Sequence, residues 1–417
     1  MANSMPFDSA IDELRSWLAA HWDADLALAD WRKRLVESGW AVPSWPIEWF
    51  GRGLPTSVDK AVADEIRAVG AVGTPLGAGM SLAAPTIMTH GSDDLRRRVV
   101  RPTLTGEVTW TQLFSEPGAG SDLAGLSTTA IRDGDDWIVN GQKVWNTSAH
   151  HADYGMLVAR TDWDVPKHQG ISYFVLPMDQ PGVEVRPILQ MNGHSSFNEV
   201  FMTDARIPAA NLVGEVGDGW RVARTTLMHE RTFATLRRPS FSSPAGRAVE
   251  EAAAEAADHF ATYVWYPQRA GRADLIADRA AALGRDDDPT VLDQMARVGS
   301  FQRVSEWTAR RGQAARALGR PPGPEGSLGK LAASELARSA ALTHARIAGA
   351  SGMLRDDVGT TGDGLGSVIA EVLVSTPAQS IAGGTDEIQH NIIGENILGL
   401  PREPAVDRNI AFRDVPH

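Results

Sequence analysis

Residues 111–122 of this chain read Thr-Gln-Leu-Phe-Ser-Glu-Pro-Gly-Ala-Gly-Ser-Asp. The pattern predicts a strand followed by a loop that turns at Pro117 and Gly118. Such a loop presents backbone N–H groups beside the hydroxyls of Ser115 and Ser121. These donors suit a polar, partly anionic ligand, because they replace its lost hydration. An ordinary glycine-rich turn is the alternative interpretation of Gly118 taken alone.

The segment Glu-Pro-Gly-Ala-Gly-Ser-Asp at 116–122 resembles the flavin- and thioester-binding loop of the acyl-CoA dehydrogenases. The likeness runs along the whole stretch, so chance is a poor explanation for it. It implies a chain that binds FAD and acts on acyl-CoA thioesters, with Ser121 also contacting the acyl-CoA substrate. The FAD contacts that the resemblance assigns to this loop are Gln112, Phe114, Ser115, Gly120 and Ser121.

The composition limits the class of protein. With 417 residues, the chain is long enough for two or three domains, or one large domain, with a substantial core. Its net charge of −12 argues against a general affinity for nucleic acid or for an anionic membrane. The lack of cysteine excludes disulfides, thiolate nucleophiles and cysteine-ligated zinc. With no signal peptide and no apolar run long enough to span a bilayer, we predict a cytoplasmic protein without membrane insertion.

Other common motifs are missing from the sequence. His229-Glu230 is not followed by a second histidine at metalloprotease spacing, so no metal site is predicted. The chain contains neither Gly-x-Gly-x-x-Gly nor Gly-Lys-Ser/Thr, so Rossmann and P-loop nucleotide binding are not supported.

The order of segments predicts an α+β multidomain chain. Residues 1–105 show helical apolar spacing, residues 106–215 show short strands and turns, and residues 216–417 are helical again. Because the strands are segregated from the helices, we expect an antiparallel sheet rather than a doubly wound one. Tight turns are predicted at Asp133-Gly134 and Asn140-Gly141. The strands predicted after these turns are 154–160, 171–176, 183–189 and 199–202.

The last third of the chain has its own signals. Asp288-Pro289 predicts a helix start, with proline at the first helical position. Breaks rich in glycine are predicted at 319–329 and 356–366. The acyl-CoA dehydrogenases also have this order of a helical domain, a sheet and a helical bundle. The resemblance therefore covers nearly the whole chain, and it implies a C-terminal four-helix-bundle domain.

A second motif, Gly-Gln-Lys-Val-Trp-Asn-Thr at 141–147, resembles another flavin-contacting segment of the family. The resemblance implies that Trp145 packs against the flavin ring and that Thr147 is directed toward its reactive edge. The alternative interpretation is a core tryptophan that follows a hairpin.

The family resemblance also implies a catalytic carboxylate. Residues 214–231 resemble the entry to the helical bundle of the family, where one branch has its catalytic base at the position of Glu230. Most members have that glutamate where this chain has Gly383, and a glycine cannot accept a proton. The base is therefore Glu230 or is not present in this chain. Arg231 would contact the substrate region, and a solvated Glu-Arg pair on a helix is the alternative.

The chemistry of desaturation explains why a carboxylate is needed. A proton leaves Cα and a hydride leaves Cβ, so the enolate oxygen that develops must be stabilised by donors. In the family these donors are the backbone N–H at the position of Gly383 and a flavin hydroxyl. Thr385 and Glu387 would contact FAD by the same resemblance. Thr385 also fits an ordinary helix N-cap, and one hydroxyl can serve both roles.

Two features of the family are not recognisable. Where many members have an Arg-x-x-Phe-Gly stretch and a Gln-rich Gly-Gly segment, this chain has residues 283–288 and 348–352. The pattern resembles a diverged actinobacterial branch, whose members include enzymes for CoA thioesters of bulky sterol side chains and pairs of different chains that share flavin sites.

We therefore predict an FAD-dependent acyl-CoA dehydrogenase that forms an α,β-double bond in a CoA thioester, with room for a bulky acyl group beside residues 70–79 and Gly383. The predicted partners are an electron-transfer flavoprotein or similar acceptor, and either copies of this chain or a paralogous chain. Two alternatives remain, an acyl-CoA oxidase and a structural or flavin-deficient subunit of a heteromer.

Overall fold

The computed structural model describes residues 7–233, 246–318, 320, 323–353, 365–402 and 404–416. The chain begins with helices α1 (Phe7–His21), α2 (Leu28–Glu37), α3 (Asp59–Ala68), α4 (Ala84–His90) and α5 (Asp93–Thr105). The strands are β1 (Trp110–Leu113), β2 (Thr129–Asp133), β3 (Asp136–Thr147), β4 (Tyr154–Arg160), β5 (Ile171–Pro177), β6 (Val183–Ile188), β7 (Phe197–Pro208) and β8 (Leu212–Val213). Helices then return as α6 (Gly219–Phe233), α7 (Arg247–Ala261), α8 (Tyr266–Arg269), α9 (Ile276–Ala282), α10 (Pro289–Ala317), α11 (Glu325–Ala348), α12 (Gly366–Ser375), α13 (Pro377–Ile381) and α14 (Asp386–Ile392). The predicted α+β order of helices, sheet and helices is confirmed.

The chain forms two compact units. The first unit comprises Met1–Ile188, Ser196–Thr262 and Val406–His417, and the second comprises Leu189–Ser195 and Tyr263–Ala405. The predicted domain boundaries after residues 105 and 215 stay a prediction. None of the helices in the described part of the chain is long and apolar enough to cross a membrane.

The helical part of the first unit is built on amphipathic helices. In α1, Ile11, Leu14 and Leu18 lie on one buried face, as their helical spacing predicts. This face packs with residues of α2, α3 and α7 into one apolar cluster, where Trp31 is fully buried. The indole N–H of Trp31 donates to the carbonyl of Val72 at 2.6 Å, so its polar atom is satisfied inside the core.

The sheet is mostly antiparallel, and strand β4 pairs in parallel with both β1 and β2. Among the described residues its strand order is β6-β7-β3-β2-β4-β5-β8, with β1 paired to β4. Strand β1 runs parallel to β4, from Trp110 opposite Tyr154 to Leu113 opposite Leu157. A parallel pair needs a long connection, and the β2–β3 hairpin lies within it. The loop after β1 consequently begins at the middle of the sheet rather than in a hairpin.

One of the two predicted turns lies within a strand. The turn at Asp133-Gly134 is confirmed, because β2 and β3 pair across it. The turn at Asn140-Gly141 is wrong, because β3 continues through both residues with a shift in its register to β7. A Cβ at Gly141 would lie 2.4 Å from the hydroxyl oxygen of Thr128. Glycine is therefore needed for a close backbone approach, not for a turn.

The second unit is helical. Helices α9, α10 and α11 enclose an apolar cluster that includes Ala280, Val291 and Ala340. The start of α10 is confirmed at Pro289, where Asp288 accepts the backbone N–H of Thr290 at 2.8 Å. Helix α10 ends before the predicted break at 319–329, and α11 begins within it. Residues 354–364, which contain most of the other predicted break, lie outside the described residues.

Candidate active site

The loop after β1 contains a tight turn. The backbone N–H of Glu116 donates to the carbonyl of Ala119 at 3.0 Å, and the N–H of Ala119 donates back at 3.1 Å. Pro117 and Gly118 lie at the tip, as the sequence predicts. A Cβ built at Gly118 or at Gly120 would have no atom of a described residue beyond its chain neighbours within 4 Å. The fold itself does not require these glycines, which leaves the loop backbone accessible to a ligand.

A buried ion pair lies beneath this turn. Glu116 is 7% exposed and Lys143 is fully buried, with 2.8 Å between the carboxylate Oε1 and Nζ. The Lys143 ammonium also donates to the carbonyl of Phe114 at 2.9 Å. The carboxylate accepts the backbone N–H groups of Ser127 and Thr128 at 2.7 and 3.0 Å. Glu116 therefore fixes the turn to β3 and to the residues that lead into β2.

Both members of this pair are charged at neutral pH. Burial alone would raise the pKa of Glu116, but Lys143 and the donors at Thr128 and Ser127 outweigh burial and bring the pKa to about 2. Burial lowers the pKa of Lys143 to about 8, while Glu116 opposes that change. A charged pair that is closed on itself in this way holds a loop in place rather than transferring protons.

The predicted contacts of this loop differ in exposure. The side chain of Phe114 is buried in the apolar core, where it meets the ring of Tyr173 edge-on at 5.9 Å. A contact from Phe114 to FAD would therefore use its backbone. Ser115 is half-buried, while Gly120 and Ser121 are exposed. The polar groups at 120–121 are thus the more accessible part of the loop.

Trp145 is exposed and backbone-strained. Its side chain is 58% exposed, and its φ of 64° lies in the left-handed region that bulky residues seldom adopt. The strain coincides with a register shift between Lys143 and Asn146 in β3. The ring meets Phe197 edge-on at 5.8 Å. The alternative of a core tryptophan is therefore wrong, and an exposed aromatic in a strained conformation is typical of a functional position.

Asn146 connects the two motif segments. Its side-chain amide donates to the carbonyl of Gln112 at 2.7 Å. The Thr111 hydroxyl donates to the carbonyl of Thr147 at 3.0 Å, which adds a second link between β1 and the end of β3. The first unit thus brings Gln112, Trp145 and Thr147 into one local arrangement.

Glu230 also belongs to this arrangement. It lies near the end of α6, and the side-chain amide of Gln112 donates to its Oε2 at 3.3 Å. Its neighbour His229 is partly buried, and burial lowers the pKa of that imidazole. The alternative of a freely solvated Glu-Arg pair does not describe Glu230, which is half-buried. Arg231 lies in the same helix, and its side chain is outside the described part of the structure.

The other predicted residues lie in the second unit. Gly383 and Gly384 adopt φ values of 70° and 84°, and form the turn before α14. The hydroxyl of Thr385 accepts the backbone N–H of Ile388 at 3.2 Å, so the predicted N-cap is present. Glu387 is exposed in the first turn of this helix. The turn leaves Gly383 exposed, and a Cβ built at this position would meet no atom of a described residue beyond its chain neighbours within 4 Å.

Asp386 holds that turn against α11. Its two carboxylate oxygens lie 3.1 Å from Lys330 Nζ and 2.9 Å from an Arg338 guanidinium nitrogen. Lys330 also donates to the carbonyl of Gln379 at 2.6 Å. Burial would raise the pKa of Asp386, but its donors bring the pKa to about 2. The turn is therefore fixed from both sides, by residues 379 and 386.

Sequence reasoning did not predict the ion pairs that Lys143 and Asp386 form. A lysine in a strand that also contains Trp137, Val139 and Val144 is a signal that could have been used, because a buried ammonium requires a carboxylate. The sequence does not say which carboxylate that is. No group of three or more metal-ligating side chains is found among the residues described.

Three domain models of one family match this chain. They are the N-terminal domain of acyl-CoA dehydrogenases over residues 8–107, the middle domain over residues 111–205 and the C-terminal domain over residues 259–398. The chain belongs to the acyl-CoA dehydrogenase family. The prediction of an oxidoreductase acting on the CH–CH group of acyl-CoA, of an actinobacterial type, is confirmed.

Individual acyl-CoA dehydrogenases extend the comparison. This chain is 35% identical to the acyl-CoA dehydrogenase IpdE1 of Mycobacterium tuberculosis over 379 residues, which span 89% of this chain and 88% of IpdE1. A solved structure described as the Tcur3481-Tcur3483 steroid ACAD is similar with a TM-score of 0.64 and 25% identity, over 97% of this chain and all of that one. The ChsE4-ChsE5 complex from Mycobacterium tuberculosis is similar with a TM-score of 0.61 and 28% identity, over 97% and 100% of the two chains.

Proposed function

We propose that this acyl-CoA dehydrogenase uses FAD to form an α,β-double bond in a CoA thioester, with Glu230 as the base. The observation that supports this most directly is the hydrogen bond from Gln112 to Glu230. It brings the only carboxylate that the family resemblance offers beside the strand from which the thioester loop begins. Gly383 lies where most members of the family have the catalytic glutamate, and a glycine has no side chain to accept a proton.

Glu230 would remove the Cα proton of the thioester. Gln112 donates to one carboxylate oxygen of Glu230, and this hydrogen bond orients the carboxylate beside β1. An acyl chain that displaces water from a half-buried carboxylate strengthens it as a base. The backbone N–H of Gly383 would donate to the enolate oxygen, and a fixed backbone donor is effective because it needs no reorganisation during the reaction.

The residues of both motifs fit a flavin. Trp145 offers an exposed ring in a strained conformation, and Gly120 offers open backbone next to the hydroxyl of Ser121. Ser115 and Thr147 add polar groups in the same unit. In the second unit, the predicted contacts are Thr385 and Glu387. When bound, FAD supplies the acceptor for the hydride that leaves Cβ.

We propose a bulky acyl group for the substrate. The similar Tcur3481-Tcur3483 protein is described as a steroid ACAD, which supports this class. Within its own unit, a Cβ at Gly383 would meet no described atom within 4 Å. Gly79 leaves no space for an acyl group, because a Cβ at this position would lie 2.8 Å from the ring of Trp110. Its small size is explained by packing alone.

We also propose that the chain works with partners. An electron-transfer flavoprotein or similar acceptor would reoxidise the enzyme, and the active assembly would contain either copies of this chain or a second, paralogous chain. The similar ChsE4-ChsE5 structure is a complex of two differently named chains, which favours the second arrangement. A cytoplasmic location stays a prediction.

Turnover of the purified chain tests the proposal. The FAD-supplemented chain is mixed with butyryl-CoA, palmitoyl-CoA and a CoA thioester whose acyl chain bears fused rings, with an artificial electron acceptor. We expect a product two hydrogens lighter, formed fastest from the ring-bearing thioester. A preference for butyryl-CoA would contradict the substrate class. Equal turnover rates with oxygen and with the electron acceptor would indicate an acyl-CoA oxidase. A chain that neither binds FAD nor turns over a thioester would indicate a structural subunit.

A further inference from the structure

The described end of the chain returns to the sheet of the first unit. Phe412 is almost completely buried, and its backbone N–H donates to the carbonyl of Val165 at 2.9 Å. The next residue, Arg413, donates its N–H to the carbonyl of Trp163 at 3.1 Å. We call residues 406–416 the C-terminal strap. It is fixed to the connection between β4 and β5 by backbone and side chain together.

The strap covers a buried arginine that holds the segment after the thioester loop. The guanidinium of Arg160 donates to the carbonyls of Ala124 and Leu126 at 2.7 and 3.1 Å, and to the carbonyl of Lys167 at 3.1 Å. Burial lowers the pKa of Arg160 to about 10, so the group remains charged. The ring of Phe412 lies 3.4 Å from its central carbon, where the ring face attracts the cation.

A second contact joins the strap to the loop through a lysine. The Nζ of Lys167 lies 2.7 Å from Asp122 Oδ2 and 2.6 Å from Asp407 Oδ2. Asp122 is the last residue of the Glu-Pro-Gly-Ala-Gly-Ser-Asp motif and directly follows Ser121. Burial would lower the pKa of Lys167, but the two carboxylates outweigh it and raise that pKa. One ammonium thus bridges the motif and a residue close to the chain end.

We propose that Lys167 and the C-terminal strap are positioning elements for the thioester loop, so that residues near the end of the chain set the geometry of Ser121. This inference deepens the proposed function and rests on it for the ligand of the loop. Asp122 is largely exposed, and Lys167 is its ion-pair partner across 45 positions of sequence. Arg160 fixes the segment that follows, and Phe412 shields Arg160 from water. Removing the strap would therefore loosen both anchors together.

The effect should appear in binding rather than in the chemical step. Neither Lys167 nor the strap contacts Glu230 in the described structure, so the rate of proton removal would be nearly unchanged. If the substrate must order the loop when it binds, the affinity for the thioester falls, because part of the binding energy is used for that ordering. Loss of one charge-assisted anchor should raise the thioester KM about tenfold and change kcat about twofold or less.

The experiment compares Lys167→Met, Lys167→Arg and Asp407→Asn in the FAD-supplemented chain. Lys60→Met is the matched control, because Lys60 forms an exposed ion pair with Asp64 in the same unit. Hydrogen exchange at residues 114–128 and the thioester KM are measured for each variant. We expect faster exchange and a raised KM in Lys167→Met, smaller changes of the same sign in Asp407→Asn, and values near wild type in Lys167→Arg and in the control.

Two results would overturn the proposal. One is unchanged exchange at residues 114–128 in both Lys167→Met and Asp407→Asn, as judged in variants whose melting temperature shows that they are folded. The other is a fall in kcat with no change in KM. If the wild-type chain proves to have no dehydrogenase activity, the proposed function fails, while the exchange comparison still decides whether the strap orders the loop.

Discussion

At the residue scale, the Glu116–Lys143 pair explains how an exposed glycine-rich turn keeps a defined shape. The pair is closed by the carbonyl of Phe114 and by backbone donors at Ser127 and Thr128. Each of these groups belongs to a segment that borders the candidate site. Breaking a buried pair leaves an uncompensated charge, which costs more than the pair itself contributes.

The pair makes a prediction about pH. The folded-state pKa of Glu116 is about 2, below the 4.5 expected in the unfolded chain. Its stabilisation is therefore complete above about pH 4.5 and is lost as pH falls from there toward 2, with a total on the order of 3 kcal/mol. Urea unfolding of wild type and Glu116→Gln should differ by about this amount at pH 7 and converge toward pH 3.

A matched control checks that result. Glu184 forms an exposed ion pair with Arg186 in the same sheet, so Glu184→Gln should unfold like wild type at every pH. A constant gap between Glu116→Gln and wild type from pH 7 to pH 3 would contradict the assigned pKa.

Trp145 shows what a single residue can conceal from sequence reasoning. A tryptophan after strand residues predicts a buried ring, and only the family resemblance indicates an exposed one. The left-handed φ coincides with the register shift in β3, which depends on pairing with β7 and has no local sequence signature.

At the element scale, the turn before α14 depends on its attachment to α11. Asp386 forms ion pairs with Lys330 and Arg338, and these pairs anchor the turn to α11. Asp386 lies three residues after Gly383, the proposed oxyanion donor. The anchor was not predicted, because it joins residues that are about fifty positions apart.

Asp386→Asn should weaken this attachment. The substitution removes the negative charge between two cations, so we expect a loss of about 1–3 kcal/mol in the free energy of unfolding. We expect kcat to fall about tenfold, because a displaced backbone donor stabilises the enolate less well. Urea unfolding and steady-state kinetics measure the two effects. Asp293→Asn, at an exposed pair with Arg297 in α10, is the control, and an unchanged kcat in Asp386→Asn would contradict the role assigned to the turn.

The elements themselves were largely predictable. Strand β4 follows from its continuous run of apolar residues, and the start of α10 follows from the Asp288-Pro289 signal. The exception at Asn140-Gly141 has a physical reason, since the same dipeptide suits a hairpin turn and a close backbone approach. The distinction depends on Thr128, which lies on another segment.

At the scale of the whole molecule, the order of helices, sheet and helices was predictable because each segment has its own periodicity. The contacts between segments that are far apart in sequence were not predictable. Residues 189–195 belong to the helical second unit, where His194 lies 2.9 Å from Glu371, and residues 406–416 belong to the first. Such contacts depend on the folded arrangement and are not encoded in any local pattern.

The similarity to IpdE1 concerns the whole molecule and not one domain of it. The match to IpdE1 covers most of both chains, so the family assignment applies to the chain as a whole. The choice of Glu230 as the base rests instead on one residue and its neighbour Gln112. That choice is the central claim, and it can be tested separately from the substrate.

The most direct test is anaerobic reduction of the FAD-loaded chain by a thioester substrate, followed by absorbance, in wild type, Glu230→Gln and the exposed control Glu215→Gln. A general base contributes about 10²–10⁴-fold to the rate, so Glu230→Gln should bleach the flavin at least about 100-fold more slowly. Wild type and the control should bleach rapidly, and all three should bind FAD equally. Bleaching of Glu230→Gln at the wild-type rate would contradict the account and remove Glu230 from the mechanism.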